Sequence, residues 1–167
     1  MTDADRLGRN AVMLRQCHPV LASRIGRLLM AMSADGYRPR IQQAYRSPDD
    51  QETAYRSGHS RVRWGFHCAQ TSAGAPEALA CDILDDDHPL APPPAYLLHL
   101  AAHARAQQLL TGILWGLSPT AAHAVDVAIA AGLWDWPHPL GWDPTHCQPA
   151  DLTIAQARTG LRPEVTP

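Results

Sequence analysis

Apolar side chains recur at helical spacing in three parts of the sequence. Within residues 19–34 they lie three or four positions apart, at Val20, Leu21, Ile25, Leu28, Leu29 and Met32. This spacing predicts a helix with one buried face, which Asp35 and Gly36 would end. Residues 95–110 and 118–132 predict two further helices, the second lying between a Ser-Pro start and a glycine.

Shorter apolar segments predict strands. Residues 40–46 and 79–84 are typical of short strands, and residues 141–148 predict a turn that leads into another strand. Between the first two strands, Ser47 and Pro48 predict the start of a short helix, because serine caps a helix and proline suits its first turn. Separated helices and short strands together indicate the α+β class.

The sequence contains no internal repeat and no linker, which indicates one domain. Its 167 residues have the size of one ordinary domain. We place that domain at residues 1–150, with an irregular segment at 59–78, and predict no structure for the tail 151–167. The formal net charge of −2 offers no basic surface, so we expect no nucleic-acid partner.

The N-terminal residues are acidic, and no apolar signal-peptide segment follows them. The apolar segment 28–32 is far too short to span a bilayer. We therefore expect synthesis in the cytoplasm and no membrane insertion. The cysteines show no CxxC spacing, and without an export signal they are expected to remain thiols.

Histidine, aspartate and cysteine raise the question of a metal site. Nine histidines and thirteen aspartates make some His/Asp/His trio common by chance, so composition identifies no site. Cys68, Cys81 and Cys147 directly follow or precede candidate ligands, and a thiolate would be an alternative zinc ligand. Neighbours on an extended chain point to opposite faces, so we expect these cysteines to face the core.

Three sequence blocks occur in a fixed order. The first is Tyr45-Arg46-Ser47, followed by Gln51, Tyr55, Gly58 and Ser60. The second is His67, followed after an inserted loop by Leu79-Ala80-Cys81-Asp82-Ile83. The third is Gly141-Trp142-Asp143-Pro144-Thr145-His146. Over residues 40–148 the chain resembles the family of zinc D-alanyl-D-alanine carboxypeptidases and phage endolysins (L-alanyl-D-glutamate peptidases), whose hedgehog-like fold has a small antiparallel sheet flanked by helices.

The resemblance implies a role for each matching residue. His67, Asp82 and His146 match the zinc ligands, Asp143 the catalytic carboxylate, and Arg46 an arginine that contacts the substrate or the oxyanion. Three protein ligands leave a fourth position at which zinc lowers the pKa of water. A nearby carboxylate can take the proton of that water, and a permanently charged arginine can stabilise the oxyanion.

The implied function is hydrolysis of an amide bond in peptidoglycan stem peptides. We favour an endolysin-like endopeptidase, a monomer that cuts between L-Ala and D-Glu and reaches the wall through a phage-made membrane lesion. A D-Ala-D-Ala carboxypeptidase and a non-catalytic zinc-binding module are the alternatives. Retention of Asp143 beside His146 argues against the non-catalytic module, because a structural zinc site needs no base.

Other polar and aromatic residues are assigned no chemistry. The run Asp85-Asp86-Asp87 predicts a solvated turn, although its carboxylates compete with Asp82 as ligands. Gln51 and Tyr55 are expected to support the site by packing and hydrogen bonding. Core packing or a cleft wall is expected for the tryptophans Trp64, Trp134, Trp136 and Trp142. No role is expected for the helix histidines His99, His103 and His123.

Overall fold

A computed structural model describes residues 1–164 of the chain. In chain order the elements are α1 (Asp3–Leu14), α2 (Pro19–Ala34), β1 (Pro39–Gln43), α3 (Pro48–Arg56), a short 3₁₀ turn (Phe66–Cys68), β2 (Cys81–Asp85), α4 (Pro94–Ala106), β3 (Leu109–Gly112), α5 (Pro119–Ala131), β4 (Asp143–Pro149) and α6 (Ile154–Arg158). The strands form one antiparallel sheet in the order β1-β2-β4-β3. The predicted α+β class with a small antiparallel sheet is therefore confirmed.

Apolar packing between the helices and one face of the sheet forms the main core. Helix α2 contributes the residues that its spacing predicted except Val20, which is half-buried, and Leu21, Ile25, Leu28 and Met32 are fully buried. Strands β1 and β2 contribute apolar side chains to the same cluster, and so do α4 and α5. Among residues 1–164, no helix is both long enough and apolar enough to cross a lipid bilayer.

All cysteines are buried free thiols, as the sequence predicted. Cys81 and Cys147 lie directly opposite each other on β2 and β4, and both belong to the main core. The Cys81 sulfur lies 3.5 Å from the sulfur of Cys17. Burial raises the pKa of the Cys147 thiol, so it stays protonated and packs as a small apolar group.

Helix α1, for which the sequence predicted no structure, covers the open edge of the sheet. Strand β1 is an edge strand, and its free backbone groups would otherwise face water or another chain. The Asn10 side chain donates to the Pro39 carbonyl at 3.0 Å and accepts from the Ile41 amide at 2.8 Å. Arg9 donates to the Ile41 carbonyl as well. Side chains of α1 therefore make hydrogen bonds with β1 that a neighbouring strand would otherwise make.

Three predicted boundaries were wrong, one of them the end of the first strand, which lies at Gln43 rather than at residue 46. The predicted helix 95–110 ends at Ala106, and the following residues form strand β3 instead. Gln108 makes the reversal with a φ of 55°, a left-handed conformation that is uncommon for residues other than glycine. The buried guanidinium of Arg24 donates to both the backbone oxygen and the side-chain oxygen of Gln108. The second strand begins at Cys81 rather than at residue 79.

The tail after residue 150 folds back onto the chain as far as the structure describes it. Asp151 accepts two hydrogen bonds from the buried Arg24 guanidinium, at 2.8 and 3.0 Å. Leu152 and Ala157 of the tail join a second apolar cluster with Phe66, the residue before His67. Helix α6 thus packs against the loop that carries a candidate metal ligand.

Candidate metal centre

The sheet places two of the candidate ligands side by side. Asp82 on β2 and His146 on β4 are direct partners in the antiparallel register, on the face opposite Cys81 and Cys147. Cross-strand partners have Cβ atoms only about 4.5–5.5 Å apart, so both side chains reach one point. His67 joins them from the 3₁₀ turn Phe66–Cys68. Three separate parts of the chain therefore converge.

The three converging atoms form a nearly equilateral triangle. His67 Nε2 lies 3.3 Å from Asp82 Oδ1 and 3.3 Å from His146 Nδ1. His146 Nδ1 lies 3.2 Å from the same Asp82 oxygen. Ligand atoms in a tetrahedral site with bonds of about 2.0–2.1 Å lie about 3.3 Å apart. His67, Asp82 and His146 are thus spaced as a group that could hold a metal ion.

Hydrogen bonds on the far side of each ring fix the nitrogen that faces the centre. His67 Nδ1 donates to the Ala44 carbonyl at 2.6 Å, which leaves Nε2 as the inward atom. His146 Nε2 bonds to Gln148 Oε1 at 3.2 Å, which leaves Nδ1 inward. Such outer partners orient metal-binding histidines and select their tautomer. Sequence reasoning had left the choice of nitrogen open for both rings.

The centre favours positive charge beside Asp82. Burial by itself raises the pKa of Asp82, but the neighbouring His67 and His146 outweigh burial and hold it far below its usual range. Burial by itself lowers the pKa of His67, but the Asp82 carboxylate outweighs burial, so the pKa of His67 is raised. A half-buried carboxylate that remains ionised is stabilised by a cation beside it, either a proton on an imidazole or a metal ion.

Asp143 lies next to the triangle. Its Oδ2 is 4.0 Å from His146 Nδ1, farther than a ligand of a shared ion needs to be. Burial, followed by the charge of Asp82, raises the pKa of Asp143. A carboxylate with a raised pKa beside a candidate metal site is suited to exchanging protons with water.

A break in the β3–β4 register brings Asp143 to this position. In a regular strand, residues three apart point to opposite faces. Between Thr111 and Gly112, however, the β4 partner changes from Cys147 to Asp143, so β4 bulges. Gly112 is required there, because a Cβ atom would collide with the Asp143 carbonyl oxygen, and Gly141 is required because its Cβ would collide with the Gly112 oxygen.

Arg46 lines the cleft that contains the three candidate ligands, and two glutamines hold its side chain there. Its Nη1 donates to Gln51 Oε1 at 2.9 Å, and its Nε donates to Gln43 Oε1 at 3.0 Å. Gln51 is buried and donates onward to Ser60 Oγ at 2.8 Å, so it is the hydrogen-bonding support that the sequence predicted. Tyr55 is no such support, since it is exposed and lies against Arg63.

The centre forms the floor of a cleft of about 220 Å³. Trp115 and Trp142 form one side, with the Trp115 ring 5.2 Å from the His146 ring. The Arg61 guanidinium lies over the Trp142 ring at 4.2 Å from its centroid. Sequence reasoning missed Trp115, Arg61 and Gln148, because none lies at a position that the three blocks match.

The acidic run Asp85-Asp86-Asp87, which begins at the last residue of β2, was wrongly predicted to be a solvated turn. Asp85 is buried and bonds to His88 at 2.9 Å. Asp86 is nearly buried and accepts from Arg40 at 3.0 Å. Asp87 alone of the three is exposed. These carboxylates lie three or more residues along the strand from Asp82, roughly 10 Å at about 3.4 Å per residue, and do not compete as ligands.

No protein-family model and no curated protein matches the sequence. Function is therefore inferred from the geometry of the centre and from the order of the sequence blocks.

Proposed function

We propose that the protein is a zinc peptidase that hydrolyses an amide bond in peptidoglycan stem peptides, with the hedgehog-like fold of the carboxypeptidase and endolysin family. The observation that carries the proposal is the triangle of His67 Nε2, Asp82 Oδ1 and His146 Nδ1, with separations of 3.2–3.3 Å and Asp143 beside it. The order of the three sequence blocks supports the same assignment.

The donor set favours zinc over other common cations. Two imidazole nitrogens and one carboxylate oxygen form a borderline set that suits Zn²⁺, whereas Ca²⁺ and Mg²⁺ take mainly oxygen ligands. Three protein ligands with a fourth position facing a cleft are typical of catalytic zinc sites rather than structural ones. When bound, Zn²⁺ supplies Lewis acidity, which lowers the pKa of water and polarises a carbonyl group.

Side chains of the cleft carry out proton transfer and charge stabilisation. Asp143 accepts a proton from the attacking water and returns it to the leaving amine when the C–N bond breaks. The Arg46 guanidinium stabilises the negative charge that develops on the scissile carbonyl oxygen, or binds a substrate carboxylate. Arg61 adds a second positive charge to the cleft, which favours a stem peptide because such peptides carry free carboxylates.

Among the bonds of the stem peptide, we favour the one between L-Ala and D-Glu as the bond that is cut, as in the endolysins that the sequence resembles. By the same resemblance, the enzyme is made in the cytoplasm and acts on the wall after a phage-made membrane lesion releases it. Digestion of purified Gram-negative peptidoglycan, followed by mass spectrometry, tests the proposal. We expect fragments with a new D-Glu amino terminus, no cleavage after chelation, and recovery on addition of Zn²⁺.

The other outcomes of this digestion are equally informative. Release of free D-Ala would replace the endopeptidase with the carboxypeptidase. Intact peptidoglycan, with Zn²⁺ bound and the protein folded, would contradict the enzymatic proposal and leave a zinc-binding module. The Asp143→Asn variant, purified in the same way, is the control for contaminating hydrolases, because it should keep the fold and be inactive.

Arg46 provides a separate test of the cleft. We expect Arg46→Ala to lower kcat/KM by roughly 10²-fold or more, as removal of an oxyanion-stabilising donor does. Arg46→Lys should recover only part of the loss, because it keeps the charge but loses the planar guanidinium, which bonds to Gln43 and Gln51 through separate nitrogens. Zinc content and Tm should change little.

Arg56 is the matched control for Arg46. It is 77% exposed and pairs with Glu52 on the surface of α3, away from the cleft. Arg56→Ala should therefore cleave peptidoglycan at the wild-type rate, since exposed ion pairs contribute little. Wild-type cleavage by Arg46→Ala would remove Arg46 from the reaction.

A further inference from the structure

A second group of metal-binding side chains lies on the surface where α2 ends beside α4. Asp35 is the residue that caps the C-terminal end of α2. His99 and His103 lie one helical turn apart on α4, with side chains 17% and 28% exposed. Asp35 is 37% exposed, so solvent reaches the group. None of these residues belongs to the cleft described above.

Both histidines point at the same carboxylate oxygen. His99 Nδ1 lies 3.0 Å from Asp35 Oδ2, and His103 Nε2 lies 2.6 Å from it. These atoms are close enough together to hold one ion. A tetrahedral ion with bonds of about 2.0–2.1 Å needs its ligand atoms about 3.3 Å apart, so both nitrogens have to move away from the Asp35 oxygen by less than about 1 Å. Asp35 and His103 are the more exposed of the three side chains and can make most of that adjustment.

The aromatic surroundings hold His99 in its orientation. The Trp134 ring lies on the His99 ring with centroids 4.0 Å apart and an interplanar angle of 35°. Tyr37 contacts the same imidazole at a centroid distance of 5.1 Å. A ring packed against two aromatic side chains loses little rotamer entropy when it binds an ion. His99 is therefore preorganised with Nδ1 directed at Asp35.

The backbone adds a second feature that favours a cation. The C-terminal end of a helix carries partial negative charge from its unpaired carbonyl groups. Asp35 lies at that end of α2, so its carboxylate and the helix dipole act in the same direction. Histidines at positions i and i+4 of one helix present their nitrogens on one face, the spacing that zinc-binding helices use.

We propose that Asp35, His99 and His103 form a surface site for a borderline divalent transition-metal ion, of which Zn²⁺ is the expected occupant. Two imidazole nitrogens and one carboxylate oxygen complete three positions, and solvent supplies the fourth. The ion joins the end of α2 to α4 and so acts as a structural clamp. The site is separate from the proposed catalytic centre and does not depend on that proposal.

Counting zinc sites in variants tests the proposal. Protein stripped with a chelator is titrated with Zn²⁺ in competition with a chromophoric chelator. We expect wild-type protein to bind two equivalents and His103→Ala to bind one, while both cleave peptidoglycan at the same rate. His103 is partly exposed and alanine favours helices, so this variant should fold. Asp35→Asn, which keeps the shape and removes the charge, should also bind one.

His123→Ala is the matched control, because His123 is an exposed histidine on another helix, α5. It should bind two equivalents. The His146→Ala variant should bind one equivalent, at the surface site, and the His146→Ala/His103→Ala double variant should bind none. This comparison separates failure of the surface site from failure of the cleft site. A zinc count unaffected by both Asp35→Asn and His103→Ala would overturn the proposal, as would binding to this group only at millimolar Zn²⁺.

Discussion

Replacing Asp143 with asparagine should remove nearly all hydrolysis of peptidoglycan while the metal stays bound. Asparagine has the shape of aspartate but cannot take a proton from water, and loss of a general base costs about 10²–10⁴-fold in rate. Metal should be retained because Asp143 Oδ2 lies 4.0 Å from His146 Nδ1, outside the triangle of ligand atoms. The measurements are kcat on a defined stem peptide and metal content by mass spectrometry.

Asp87→Asn is the control for this substitution. Asp87 follows β2 and its side chain is 51% exposed, so loss of its charge leaves the cleft unchanged. This variant should retain wild-type kcat and zinc content. If Asp143→Asn cleaved at the wild-type rate, Asp143 would not be the base. If it lost zinc, Asp143 would be a ligand, and the three-residue shell would be incomplete.

Helices with an apolar stripe and a clear cap could be predicted from the sequence. Helix α2 has buried residues at the predicted positions, and the Ser47 side chain accepts from the Asp50 amide at the start of α3, as expected of a cap. Helix α5 begins after Ser118 and ends at Gly132, which adopts the left-handed conformation that glycine accommodates best. In these helices, local sequence and tertiary packing agree.

The elements that were missed depend on polar contacts across the chain. Helix α1 buries Arg6 and Asn10 against the edge of β1, and its local signals, the Thr2 cap and an acidic first turn, were overlooked. Strand β3 follows a reversal at Gln108, where a glycine or asparagine would have been the usual signal. Arg24 stabilises that reversal from α2, 84 positions earlier in the sequence. Such long-range contacts cannot be found from local patterns.

The candidate site, too, could be predicted only in part. The candidate ligands and Asp143 could be proposed from the sequence, because a resemblance depends on residue type and order. Their orientation could not, because it depends on the Ala44 carbonyl, the Gln148 side chain and the register of β2 with β4. The position of Asp143 relies further on a bulge that two glycines permit. These features appear only once the strands are paired.

Removing one ligand from the triangle should empty the buried centre. His146→Ala deletes a nitrogen that lies 3.2–3.3 Å from both other ligand atoms, leaving two ligands where a catalytic zinc site uses three. We expect loss of bound zinc and a cleavage rate equal to that of chelated protein. The measurement is made in a His103→Ala background, so that surface-bound metal does not enter the count.

Substitutions at two other residues of β4, Cys147 and Gln148, extend the test of His146. Gln148→Ala removes the acceptor of His146 Nε2 and should weaken zinc binding about 10–100-fold, as loss of an outer partner does. Cys147→Ala changes a residue of the same strand that faces the core, so it should lower Tm and leave zinc affinity unchanged. Loss of zinc from a folded Cys147→Ala variant would instead make the thiol a ligand. Affinity that is lost at 146, reduced at 148 and unchanged at 147 is expected only if His146 Nδ1 binds the metal and β4 keeps its alternation.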